Sequence, residues 1–113
     1  MNTAEQLVEA LVAEGVSMVF GIPGDENLPF IQAVSESEEI DFILTRHEAA
    51  AGFMAAAHGH LTGRLAVAMS TLGAGATNLA TPVAHAWPGW SRQRRGSTLR
   101  QPDVRSGDRG RRP

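Results

Sequence analysis

The sequence predicts an α/β fold in which helices flank a parallel sheet, because strand-like and helix-like segments alternate along the chain. Short connections that contain glycine separate these segments, and the strand-like residues 65–69 are almost continuously apolar. Parallel strands have this composition when helices cover both faces of the sheet. The alternation continues as far as Trp87, and the 113-residue chain has the size of one modest domain.

Each element is predicted from its own pattern. Apolar residues at helical spacing indicate a first helix over residues 3–14, in which Thr3 and Gln6 form a capping box and Gly15 ends the helix. Short, mostly apolar runs predict strands at residues 16–20, 40–44 and 65–71. The remaining segments predict helices at residues 26–35, 48–61 and 76–86.

The composition changes sharply after Trp87. Residues 1–87 carry ten acidic residues and two arginines, whereas residues 88–113 carry eight arginines and two acidic residues. The second segment is also rich in Gly, Pro and Ser, and it buries too little apolar surface to offset the entropy cost of ordering. We therefore expect a partial α/β domain over residues 1–87 and a disordered tail over residues 88–113.

Several classes of protein are disfavoured by composition. The chain has no cysteine, which excludes disulfides and thiolate metal sites. No run approaches the roughly 20 apolar residues of a membrane span, and Glu5 and Glu9 are not typical of a signal peptide. We therefore predict a cytoplasmic protein without a membrane partner. The histidines predict no metal site, since His47 and His58 would lie about 16 Å apart along one helix.

A polar motif follows each predicted strand directly. In parallel sheets, ligands bind beyond the carboxyl ends of the strands. Pro23, Glu48 and the loop at residues 73–78 are therefore expected to line one crevice. From the residues alone Glu48 keeps a second interpretation, because the dipole of a helix stabilises a carboxylate in its first turn without any function. The three motifs are GIPG at residues 21–24, TRHE at residues 45–48 and STLGAGATN at residues 70–78.

A resemblance to a known family extends from about residue 3 to residue 87. It is carried by the ordered segments EGVSMVFGIPGDENLPF, ILTRHEAAAGFMAAAHGHLTG and STLGAGATNLATPVAHA. These segments resemble the amino-terminal pyrimidine-binding domain of thiamine-diphosphate-dependent enzymes, and most of all that of the acetolactate synthase large subunit.

The resemblance implies a role for the carboxylate in TRHE. Glu48 is implied to be catalytic, because in the family this residue hydrogen-bonds a ring nitrogen of the aminopyrimidine and favours its imino tautomer. The small residues around Glu48 predict a raised pKa, since an apolar enclosure disfavours the charged form. The cofactor-binding residues implied by the family are Pro23, Gly24, Glu48, Thr71, Gly75 and Asn78.

The resemblance also implies a reaction and an assembly. The family decarboxylates and ligates 2-keto acids, as in the formation of acetolactate from pyruvate for branched-chain amino acid biosynthesis, and its members are homo-oligomers. Their magnesium ion and the cofactor's diphosphate bind a separate carboxyl-terminal domain that this sequence does not match. We therefore expect the chain alone to be inactive. Which 2-keto acid is used, whether FAD is bound and which oligomer the chain forms stay open.

The Arg-rich segment gives rise to other interpretations. It can bind nucleic acid through phosphate contacts, although Trp90 is its single aromatic residue and offers no stacking ladder. A non-catalytic interaction module is a further alternative. The abrupt change near residue 87 also suggests a frameshift, because codons for PGWS read one base later can encode Leu-Asp-Gly-Val, which is close to the sequence that the family has there.

Overall fold

The computed structural model describes residues 1–95, in which helices alternate with three parallel strands. This arrangement confirms the predicted α/β fold with a parallel sheet and flanking helices. A turn of 3-10 helix (Asp25–Asn27) follows the first strand. The helices are α1 (Thr3–Ala13), α2 (Leu28–Glu36), α3 (Glu48–Thr62), α4 (Ala74–Asn78) and α5 (Ala80–Arg95), and the strands are β1 (Met18–Gly21), β2 (Asp41–Leu44) and β3 (Val67–Met69).

The capping of α1 differs from the prediction. The N-cap is Asn2, whose side chain accepts a hydrogen bond from the backbone N–H of Glu5 at 2.9 Å. The carboxylate of Glu5 in turn accepts from the backbone N–H of Asn2 at 2.9 Å. The predicted box of Thr3 and Gln6 is therefore wrong, because Asn is a stronger N-cap than Thr and a Glu stands three positions after it.

The central strand of the sheet is β1, and the strand order is β2-β1-β3. Strand β3 joins the free side of β1 with Val67 opposite Val19. Because β2 and β3 lie on opposite sides of β1, right-handed crossovers place α2 and α3 on opposite faces of the sheet. The side chains of consecutive residues in β1 lie on opposite faces of the sheet. Val19 packs in the hydrophobic core with α1 and α2, whereas the ring of Phe20 lies near that of His58 in α3, with 6.2 Å between the ring centroids.

The hydrophobic core lies between the sheet and the layer formed by α1 and α2. Val19 and Val34 are fully buried at its centre. Burial of such a side chain contributes about 1.5–3 kcal/mol, so this cluster is a main source of stability in the described part of the chain. Its buried members are Val8, Val16, Val19, Ala33, Val34, Ile40 and Met69.

Helix α3 covers the other face of the sheet, and α5 packs on α3. The two helices touch at Gly52, where a Cβ atom would lie 2.5 Å from the Cβ and Cγ atoms of Pro82. Glycine inside a helix costs about 0.5–1 kcal/mol relative to alanine. At Gly52 this cost is offset because only glycine lets the buried Pro82 approach so closely.

The third strand and the helix predicted after it differ most from expectation. Strand β3 has three residues, whereas the sequence predicted a strand over residues 65–71. The helix predicted over residues 76–86 is divided into α4 and α5, with Leu79 between them. The division lets the short helix α4 turn its last residue, Asn78, toward the carboxyl end of the sheet, where a hydrogen bond holds it.

Helix α5 continues to Arg95 and so passes the domain boundary predicted after residue 87. Residues 88–95 were predicted to be disordered, because their hydrophobic periodicity is lost. The Arg and Gln residues of this extension favour the helical state, whereas Pro88 and Gly89 at its start oppose it. The rest of the predicted tail, residues 96–113, lies outside the described residues.

Within residues 1–95, no helix combines the length and the apolar character that a bilayer crossing requires.

Candidate functional site

Three loops meet at the carboxyl edge of the sheet, one after each strand. Their contacts bring together five of the six residues that the sequence assigned to the cofactor site. The sixth, Pro23, is exposed beside Gly24 in the loop after β1. The other five form a chain of contacts from Gly24 through Thr71 and Gly75 to Glu48, which Asn78 also contacts.

Glu48 is the first residue of α3 and is buried, with 9% of its surface exposed. The preceding residue, His47, is the N-cap of α3, and its ring Nδ1 accepts a hydrogen bond from the backbone N–H of Ala49 at 3.0 Å. The hydroxyl of the buried Thr45 donates to the carbonyl of His47 at 3.1 Å. The segment TRHE therefore fixes the start of the helix that presents Glu48. Sequence reasoning missed the capping role of His47, because His is not among the residues that usually cap helices.

Asn78 and Gly75 approach Glu48 from α4. The side-chain Nδ2 of Asn78 donates a hydrogen bond to Oε2 of Glu48 at 2.9 Å. A Cβ atom on Gly75 would lie 3.1 Å from Oε1 of the same carboxylate. Asn78 thus orients the carboxylate through one oxygen, while the absence of a side chain at Gly75 leaves space beside the other.

The pKa of Glu48 is lowered from its ordinary value of 4.5, mainly by the hydrogen bond from Asn78 and then by the carboxylate's bond with its own backbone N–H. Burial raises this pKa, but the effect is smaller than that of the hydrogen bonds. The predicted raised pKa is therefore wrong. The prediction considered only the small apolar neighbours and not the donor that the fold brings from 30 residues away. Glu48 is consequently ionised at neutral pH.

We expect Asn78→Ala to raise the pKa of the Glu48 carboxyl group, because the variant lacks the donor that stabilises the charged form. In the folded native chain the pKa of Glu48 lies below 4.5, the value expected in the unfolded chain. The hydrogen bond therefore stabilises the folded state above pH 4.5, and this stabilisation is lost as the pH falls through the pKa of the folded state. The variant should therefore show a smaller loss of stability on the acid side. An NMR titration of the side-chain carboxyl carbon measures the pKa directly.

Thr77→Ala is the matched control for that titration. Thr77 lies on the same short helix, but its hydroxyl donates to the carbonyl of Ala74 at 3.0 Å and not to Glu48. This control should leave the Glu48 titration unchanged. A Glu48 pKa that stays the same in Asn78→Ala would contradict the assignment of the shift to the amide.

The loops after β1 and β3 are joined at Thr71. A Cβ atom on Gly24 would lie 2.5 Å from both Cβ and Oγ1 of Thr71, so glycine is needed for this contact. The hydroxyl of Thr71 donates a hydrogen bond to the carboxylate of Glu26. Gly24 also donates its backbone N–H to the side-chain oxygen of Asn27 at 2.8 Å, which closes the loop on itself. Sequence reasoning did not identify Glu26, because its partner stands 45 residues later.

A buried, oriented carboxylate at the carboxyl ends of parallel strands is typical of the ligand sites of α/β enzymes. Residues 1–89 match the family model described as "Thiamine pyrophosphate enzyme, N-terminal TPP binding domain". The chain therefore belongs to the thiamine pyrophosphate enzyme family, in which the matched region is the N-terminal TPP-binding domain. This match confirms the family resemblance drawn from the three motifs.

Several curated relatives are acetolactate synthases. The chain is 43% identical over 86 residues to the acetolactate synthase large subunit of Mycobacterium tuberculosis. These 86 residues are 76% of this chain and 14% of that protein. It is 46% identical over 87 residues to the probable acetolactate synthase large subunit of Methanocaldococcus jannaschii, covering 77% of this chain and 15% of that protein.

A third relative is the isozyme 1 large subunit of Escherichia coli acetolactate synthase, 46% identical over 83 residues, which cover 74% of this chain and 15% of the relative. The matched part of the chain thus spans about one seventh of each of these relatives.

The residues of the crevice fit the aminopyrimidine end of thiamine diphosphate. A planar ring that carries both nitrogen acceptors and an amino group requires an ionised or hydrogen-bonding side chain and open space next to it. Glu48 provides the carboxylate, and the absence of a side chain at Gly75 keeps its Oε1 from being crowded. Asn78 donates to Oε2 and so fixes the orientation of the carboxylate.

Proposed function

We propose that residues 1–87 form the aminopyrimidine side of a thiamine-diphosphate site in an acetolactate synthase-type enzyme, with Glu48 as the catalytic carboxylate. The observation that carries this proposal is the buried Glu48 at the start of α3, held by Asn78 from the segment that follows a different strand. The proposal assigns the walls of the pocket to Pro23, Gly24, Thr71 and Gly75.

The proposed chemistry of this chain is proton sharing at one ring nitrogen. When bound, thiamine diphosphate supplies a thiazolium carbon that adds to a keto carbon, together with an electron sink for decarboxylation. Glu48 is ionised, so its carboxylate accepts a charge-assisted hydrogen bond from the protonated ring nitrogen. Asn78 holds Oε2 and prevents the carboxylate from rotating away. Glu48 thereby favours the tautomer of the aminopyrimidine in which the exocyclic nitrogen is an imine and can act as a base.

The proposed substrates are 2-keto acids, pyruvate among them, with acetolactate as the product. We assign magnesium and diphosphate binding to a carboxyl-terminal domain, and the shared site to a homo-oligomer in the cytoplasm. The relatives' names support the reaction class, since each is an acetolactate synthase. No observation on residues 1–95 favours the nucleic-acid-binding or interaction-module alternatives.

A chimera tests the proposed function. Residues 1–87 of this chain would replace the matched segment of the Escherichia coli isozyme 1 large subunit, to which the chain is 46% identical. We expect the chimera to bind thiamine diphosphate in the presence of magnesium and to form acetolactate from pyruvate. A chimera that has native-like circular dichroism but neither binds the cofactor nor forms acetolactate would overturn the proposal.

A further inference from the structure

We propose that Glu26 is a positioning residue of the Glu48 site: its carboxylate holds Thr71, and through Thr71 it holds the segment that presents Gly75 and Asn78 to Glu48. The catalytic meaning of this inference rests on the proposed function. Its structural content does not, because it concerns contacts within the chain alone.

Thr71 is the residue through which the loop after β1 reaches the loop after β3. Its hydroxyl donates to Glu26, and its Cβ and Oγ1 pack against the backbone at Gly24. Its methyl carbon Cγ2 lies 3.1 Å from the point that a Cβ on Gly75 would occupy. The same point lies 3.1 Å from Oε1 of Glu48. Thr71 and Glu48 therefore enclose Gly75 from two sides.

The short helix α4 depends on outside contacts for its position. It has five residues, and its N-cap is Gly73, which has a φ of 64° and provides no side-chain cap. One turn of helix has few internal hydrogen bonds, so it is marginal unless tertiary contacts fix it. Asn78 is the last residue of this turn, and it carries the donor to Glu48. A displacement of Thr71 is therefore transmitted to the hydrogen bond that orients the carboxylate.

The charge state of Glu26 suits this role. The hydroxyl of Thr71 lowers the pKa of the Glu26 carboxyl group, and the group's own backbone N–H acts in the same direction. Glu26 is exposed, so its desolvation costs little. At neutral pH it is therefore an ionised acceptor, and hydrogen bonds to ionised acceptors are stronger than those between neutral groups.

Substitutions at Glu26 separate positioning from simple electrostatics. Glu26→Gln removes the charge but keeps an oxygen that accepts from Thr71, whereas Glu26→Ala removes both. Loss of a nearby negative charge alone would lower the pKa of Glu48 in both variants. Loss of positioning would raise it mainly in Glu26→Ala, because the Asn78 hydrogen bond would weaken. Glu38→Ala is the matched control, since Glu38 is exposed and precedes β2, at the amino ends of the strands and so opposite the Glu48 site.

The experiment is an NMR titration of the Glu48 carboxyl carbon in the 113-residue chain without cofactor. We expect Glu26→Ala to raise the pKa of Glu48, and the backbone amide of Thr77, which bonds Gly73, to exchange about tenfold faster. We expect Glu26→Gln, which keeps a weaker neutral acceptor, to show only a small part of either effect, and Glu38→Ala to show neither. A Glu48 pKa that is unchanged or lowered in Glu26→Ala would overturn the inference, as would equal effects of the Ala and Gln variants.

A second pair of variants serves if Glu26→Ala prevents folding, as judged by far-ultraviolet circular dichroism. Thr71→Val keeps the shape of the side chain and removes the hydroxyl, whereas Thr71→Ser keeps the hydroxyl. Because Ser lacks the methyl group that packs beside Gly75, we expect a smaller rise of the Glu48 pKa in the Ser variant than in the Val variant, and a Ser effect equal to or larger than the Val effect would overturn the inference. These titrations contain no cofactor, so an inactive chimera would count against the proposed function and not against the role of Glu26.

Discussion

Replacing Glu48 with Gln in the chimera should reduce the kcat for acetolactate formation about 10²–10⁴-fold, the range that general acid–base groups contribute. The amide keeps the size of the carboxylate and still offers an oxygen to the Asn78 side chain, which donates to Glu48 at 2.9 Å. It carries no negative charge, and so it cannot stabilise the protonated ring nitrogen. The loss should therefore appear in kcat far more than in the KM for pyruvate, because the substrate is not in contact with Glu48 in the proposed site.

Glu38→Gln in the same chimera is the matched control. It makes the same chemical change at an exposed residue before β2, away from the crevice. Its turnover should equal that of the unsubstituted chimera. Turnover of the Glu48→Gln chimera within a few-fold of this control would show that Glu48 does not have the catalytic role proposed for it.

The 113-residue chain alone should bind thiamine diphosphate no more tightly than millimolar and should form no acetolactate from pyruvate. In the proposed site, the diphosphate and magnesium bind a separate carboxyl-terminal domain, so this chain would contribute one end of the site. A hydrogen bond to a charged group contributes about 1.5–3 kcal/mol. Millimolar binding already requires about 4 kcal/mol. Glu48 and its neighbours therefore provide too little free energy to retain the cofactor.

Isothermal titration calorimetry with magnesium present measures this affinity. The chimera provides the positive control, and the Glu48→Gln chain shows how much of any weak heat belongs to the carboxylate. Micromolar binding by the native chain would refute the expectation. It would mean that residues of this chain also hold the diphosphate.

The sequence predicted the fold well because the signals of the α/β fold are local. Apolar runs, helical spacing and glycine turns each fit in a window of about 11–18 residues, and the rule for the carboxyl ends of parallel strands then places the loops together. This is why Glu48 and Asn78 could be assigned to one crevice although 30 residues separate them.

The features that sequence reasoning missed depend on contacts between side chains that are distant in sequence. The lowered pKa of Glu48 arises from Asn78, and the hydrogen bond of Glu26 with Thr71 spans 45 residues. Neither contact leaves a local pattern. The wrong capping prediction at α1 has a different origin. Asn2 and Thr3 are adjacent, and both residue types are good N-caps. The choice between them depends on whether the side chain of Glu5 or that of Gln6 bonds the backbone N–H of the N-cap residue.

The central position of β1 affects how the chain folds as it leaves the ribosome. Of the three strands in residues 1–95, the first to be synthesised is also the middle one, so the two later strands add to edges that already exist. Of the seven buried members of the core cluster, all but Met69 precede residue 41. Because synthesis proceeds from the amino terminus, α1, α2 and β1 are all available to pack together before α3 is complete. Within residues 1–95, the Glu48 crevice then assembles on a nucleus that is already packed.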